Sequence, residues 1–113
     1  MYIQKENQNN SIEDREYVTI PRDLYLNTSR LMTGNDVINI QEKLSRLFKD
    51  VKITGVFDED TDRFVRLFQS NYDFLDINGI VDNKTYNTLI NAIISDDNNI
   101  YGAVINGVII VNT

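Results

Sequence analysis

Gly55-Val56-Phe57-Asp58-Glu59-Asp60-Thr61 and Gly79-Ile80-Val81-Asp82-Asn83-Lys84-Thr85 are two versions of one phrase, set 24 positions apart. Each consists of a glycine, two apolar residues, an acid, two polar positions and a threonine, and each runs into an amphipathic segment. Glycine admits the positive φ that a tight loop needs. The two apolar residues after it can drop into a core as a short extended link. Asp58 and Asp82 stand where a helix N-cap belongs, with side-chain oxygens able to accept from unpaired amides of the first turn. Thr61 and Thr85 fall within that turn and can bond back to the loop. The repeat therefore predicts two loop-plus-cap units, each launching a helix.

A third start lies upstream, at Gly34-Asn35-Asp36-Val37. Val37, Ile40, Leu44, Leu47 and Phe48 keep helical spacing, as do Phe64, Val65, Phe68 and Tyr72, and then Tyr86, Leu89, Ile90 and Ile93. Helices are predicted near 35–48, 59–72 and 83–94. Gln41 and Gln69 each follow an apolar helix position. Each either holds loop backbone through hydrogen bonds, the reading preferred here, or faces a ligand.

Leu31-Met32-Thr33-Gly34-Asn35-Asp36-Val37 with Ile40-Gln41 and Leu44 resembles the opening helix of peptidoglycan-binding domains of the three-helix type, roughly Gly-x-x-Val-x-x-Leu-Gln-x-x-Leu. Gly55-Val56-Phe57 with Thr61, Val65, Phe68 and Gln69 resembles their second helix. Asn78-Gly79-Ile80-Val81 with Thr85, Tyr86 and Leu89 resembles their third. The likeness covers about residues 30–92. This chain departs from the family pattern where Asp58 and Asp82 replace a usual glycine, where Tyr86 replaces a frequent tryptophan, and where Phe64 replaces a small residue. Those departures leave the architecture intact and bear on the groove for a sugar–peptide ligand.

The chain's 113 residues, 42% hydrophobic, are enough for one small core. With no histidine and no cysteine, imidazole bases, thiol nucleophiles, disulfides and the usual zinc ligand sets are excluded. Carboxylates remain, but Asp58, Glu59, Asp60 and Asp62 sit where a helix dipole favours negative charge. No catalytic residue is expected, and the chain is read as a non-enzyme. The Asp58-x-Asp60-x-Asp62 run starts like an EF-hand loop but has Arg63 and Gln69 at the two diagnostic positions, so no metal and no cofactor are expected. A net charge of −6 without a basic run disfavours nucleic acid. No apolar run approaches the ~20 residues of a membrane span.

The fold class expected is mainly α: a three-helix peptidoglycan-binding-like bundle at 30–94, with a polar arm at 1–15, an extended or strand segment at 16–29, and a C-terminal β-hairpin at 95–113. Tyr17 to Ile20 reads as a strand ended by Pro21. Ile100 to Ile105, then Asn106-Gly107, then Val108 to Val111 reads as a hairpin, because Asn-Gly suits a type I′ turn. A hairpin apolar on both faces has to cover something or be covered.

The resemblance implies a non-catalytic module that binds cell-wall peptidoglycan. Tyr72, Asp76, Asn78 and Tyr86, around the loop before the third helix, are the expected ligand contacts, since aromatic faces and amides suit sugars and stem peptides. The alternative is a structural subunit of a phage tail or baseplate-type assembly that docks other subunits through the hairpin. The first residues lack the basic start and apolar stretch of a signal peptide. Synthesis in the cytoplasm, and action in a virion or virion-like particle or at the cell wall, is the matching expectation.

Overall fold

Asp58 Oδ1 accepts from the amide of Thr61 at 3.1 Å, and Asp82 Oδ1 accepts from the amide of Thr85 at 2.9 Å. Both repeats therefore cap helices as their sequence predicts. The computed structural model describes residues 17–106, with side chains described through Ser95. The three helices are α1 (Asn35–Leu47), α2 (Glu59–Gln69) and α3 (Asn83–Asn106). α1 packs against both of the others.

One interior serves all three. Val37, Ile40 and Leu44 of α1, Phe64, Val65 and Phe68 of α2, and Tyr86 and Leu89 of α3 are buried in a single cluster. The repeated loops feed it by strand-like alternation. Phe57 and Val81, second after each glycine, are 0% and 1% exposed, whereas Val56 and Ile80 are half-buried. Successive side chains of an extended link point to opposite faces, so only one of each pair can reach the core.

The two glutamines lock the loops to the helices. Gln41 Oε1 accepts from the amides of Thr54 (2.9 Å) and Gly55 (2.8 Å), and its Nε2 donates to Val56 O and Thr61 Oγ1, both at 3.0 Å. Gln69 repeats this with Asn78 N (3.0 Å), Gly79 N (2.9 Å), Ile80 O (3.0 Å) and Thr85 Oγ1 (3.2 Å). Both side chains are buried, so the loop amides and carbonyls they serve are partnered without water. The structural role expected of Gln41 and Gln69 is the one observed.

Gly55 and Gly79 have φ of 82° and 76°. At Gly79 a Cβ would also collide with the Asp62 carboxylate, which is ion-paired to Arg66 at 3.0 Å. At Gly55 it would meet only the Ile38 side chain, at 3.3 Å.

Two sequence expectations are corrected. Residues 17–20 form no strand; among the described residues the only β pairings are isolated antiparallel bridges, Leu24 with Val81 and Thr33 with Val56. The segment is instead held by asparagines of α3: Asn87 Oδ1 accepts from Val18 N at 2.8 Å, Asn87 Nδ2 donates to Val18 O at 2.7 Å, and Asn83 Oδ1 accepts from Ile20 N at 2.7 Å. Side-chain amides thus supply what a neighbouring strand would have supplied. The first run of the expected hairpin lies in α3, which continues to Asn106. Once the Asp82 cap has nucleated the helix, each further residue adds a bond for little extra ordering, whereas a hairpin needs new pairing and a surface to cover. Short apolar runs do not distinguish the two forms by periodicity, and Asn-Gly also reads as a helix stop. The second run, residues 107–113, and the polar arm, 1–15, lie outside the described residues.

Candidate functional site

The C-terminus of α2 shapes a large cleft. Ser70 N bonds to Arg66 O at 2.9 Å, and Asn71 N and Tyr72 N turn back onto Phe68 O (3.1 Å) and Gln69 O (3.2 Å). That turn ends α2 at Gln69 rather than at residue 72, as the sequence had predicted. It also swings Tyr72 and Phe74 beside Phe68. Phe68 and Tyr72 rings lie 5.2 Å apart and Tyr72 and Phe74 rings 5.5 Å apart, all tilted, a favourable arrangement for aromatic pairs. Leu75, buried and bonded through its amide to Tyr72 O at 3.2 Å, fixes the far end of the turn.

Across from this aromatic row stands the first half of α3, with Lys84, Asn87, Thr88 and Asn91 on one face. Tyr17, from the N-terminal segment, closes one side, and Leu47 and Phe48 contribute apolar floor. The cleft holds about 610 Å³. Lys84 Nζ lies 5.8 Å from the centre of the Phe74 ring, so the cation caps one end of the aromatic row. An open groove with aromatic walls and a few converging amides is the usual form of a small-ligand or oligomer site.

Of the four expected ligand contacts, Tyr72 lines this cleft. Asp76 is exposed farther along the same loop. Asn78 is exposed, with its side-chain oxygen engaged by the loop: Oδ1 accepts from Gln69 Nε2 at 3.1 Å and from Ile80 N at 2.9 Å. Tyr86 is 9% exposed and faces another side of α3, where its hydroxyl accepts from Asn39 Nδ2 at 2.8 Å and Lys43 Nζ lies 5.7 Å from its ring. The four are therefore not gathered at one place. Sequence reasoning missed Tyr17, Phe74, Lys84 and Asn87. Phe74, an aromatic two residues past Tyr72 in a loop, carried a legible signal. Asn87 follows Asn83 by one helical turn, but its role depends on a segment far away in sequence.

A second cleft, of about 170 Å³, lies under residues 18–22 and reaches Asp36, Asn39, Ile40 and Tyr86. Its rim is clamped by Arg22, which donates to Asp36 through Nε (2.8 Å) and Nη2 (3.0 Å) and to Thr33 O (2.7 Å). The guanidinium's hydrogen bonds hold the Asp36 carboxyl below its ordinary range. Among the described residues no group of three acids, histidines or cysteines could hold a metal ion, and no helix is long and apolar enough to cross a membrane.

This arrangement of capped repeats, buried glutamines and three helices has a counterpart. The family described as "Putative peptidoglycan binding domain" matches residues 33–89. The chain belongs to that family. The matched span takes in all of α1 and α2, both glutamine-held loops and the start of α3. No curated protein and no solved structure matched the chain. The N-terminal segment bearing Tyr17 lies outside the family match, although it forms one wall of the large cleft.

Proposed function

We propose that the protein is a non-catalytic module that binds cell-wall peptidoglycan, and that the cleft between the 70–75 turn and α3 receives it. Membership of the peptidoglycan binding domain family is the observation that carries this reading. The cleft adds chemical fit. Tyr72 and Phe74 offer apolar faces for sugar rings and for the alkyl parts of stem peptides. Asp76, two residues beyond Phe74, is exposed.

The alternative of a tail- or baseplate-type subunit drew on an expected C-terminal hairpin and on first residues without signal-peptide features; of that hairpin, residues 100–106 are helical instead. The test is co-sedimentation with insoluble peptidoglycan. Wild-type protein is expected in the pellet. Phe74→Ala, at a ring already 56% exposed, should leave the fold intact and weaken retention about three- to tenfold, the value of one good aromatic contact. Wild-type protein left in the supernatant rejects the proposal.

A further inference from the structure

The large cleft has a charge character opposite to that of the chain. The sequence carries 17 acidic and 11 basic residues. Among the described residues lining the cleft there is no carboxylate, and Lys84 is the one cation. Asp73 lies in the same turn, between Tyr72 and Phe74, but is exposed and does not line the cleft. Lys84 has no carboxylate partner among the described residues; its ammonium stands over the Phe74 ring. An ammonium held beside an aromatic face, without a counter-charge of its own, presents an anion site next to an apolar surface.

We infer that Lys84 binds a free carboxylate of the wall's stem peptide, and that the adjoining Phe74–Tyr72 row packs the alkyl groups next to that carboxylate. This rests on the wall-binding reading and sharpens it: the cleft reads the peptide rather than the glycan alone. Acid-free walls favour a peptide's carboxylate end over its amine-bearing side chains. Lys84 is exposed, so its ammonium is available to solvent and to ligand.

The experiment compares two solid phases: sacculi extracted to remove phosphate-bearing polymers, and the same sacculi after enzymatic removal of the stem peptides. Wild-type protein is expected to bind the intact phase about tenfold more tightly than the stripped phase, the value of one charge-assisted contact. Lys84→Met, which keeps the alkyl stem and deletes the charge, should lose about that factor on intact sacculi and nothing on the stripped phase. Lys84→Arg should keep most of the affinity. Thermal melts of the variants should match wild type, since the side chain is exposed. Equal binding to both phases, or unchanged binding by Lys84→Met on intact sacculi, overturns the carboxylate site while leaving wall binding in place. Absence of binding to intact sacculi overturns the wall reading itself, and the carboxylate site with it.

Discussion

The two glutamine-held loops use the same bonds but carry different loads. Gln41 reaches forward 14 positions to Gly55, and Gln69 only 10 to Gly79. The first loop is braced by α1's own approach: Gly34 N bonds to Gly55 O at 3.2 Å and Phe57 N to Met32 O at 2.9 Å. The second is braced by the N-terminal segment through a reciprocal pair, Leu24 N to Val81 O at 3.1 Å and Val81 N to Leu24 O at 2.8 Å. It is also roofed by Asp62 and Arg66, which stand directly over Gly79. A duplicated local signal has thus been fitted into two different surroundings. The second copy is the tighter, and it lies beside the turn that carries Tyr72 and Phe74.

The largest effect should come from the glutamines. Gln69→Leu or Gln41→Leu would leave the buried amide of Gly79 or Gly55 without its partner and strip the neighbouring part-buried amide of Asn78 or Thr54, with a buried unpaired group costing about 1–3 kcal/mol. A loss of about 2–4 kcal/mol in urea unfolding is expected from either. A substantially smaller loss at one site would show that its loop can reach water, and that the two copies are not equivalent in burial.

The glycines separate the copies more sharply. Ala at either position sits in the left-handed region, which costs about 1–2 kcal/mol. Gly55→Ala adds only a tight approach to Ile38, which can shift. Gly79→Ala adds a collision with the Asp62 carboxylate, and relief would disturb its pairing with Arg66. Gly79→Ala should therefore be the more destabilising of the two. Combining it with Asp62→Ala should recover part of the difference, as read from thermal melts of the four proteins. Equal losses without recovery would mean that backbone strain alone sets the cost.

The smallest effect concerns pH. Asp36 titrates below its ordinary range because Arg22 donates to it. A carboxylate with a depressed folded pKa contributes stability above its unfolded pKa of about 3.9, and that contribution disappears as pH falls through the folded value. The melting temperatures of wild type and Asp36→Asn should therefore differ at neutral pH and converge in the acid range below about pH 4. Curves that stay parallel down to pH 2 would assign the difference to packing rather than to the ion pair. Because the pair is partly exposed, the separation should also shrink in high salt.

Much of the helical frame was legible because its signals are local. The caps at Asp58 and Asp82, the glycines before them and the threonines after them all act within a few residues of one another. The start of each helix was predicted correctly for that reason. The end of α2 was misplaced because Tyr72 keeps helical spacing while the chain has already turned at Ser70 and Asn71. The C-terminal run was misread because its apolar residues satisfy a strand and a helix equally, and the extension of α3 decided between them.

By itself, then, the sequence determined where the helices begin and the kinship that Gln41, Gln69 and the repeated glycines express; that only Phe57 and Val81, and not Val56 and Ile80, are buried was decided by the structure. Those properties follow from backbone conformation and side-chain period, which neighbouring residues dictate. Only the tertiary structure decided that Asn83 and Asn87 would hold an N-terminal segment some 65 residues away, that Tyr86 would bury its ring and bond its hydroxyl to Asn39 while Asn78 bonded to Gln69, and that Tyr17, Phe74 and Lys84 would meet across one cleft. Such meetings depend on how the helices cross and on which buried polar groups need a partner, and no short stretch of chain contains that information.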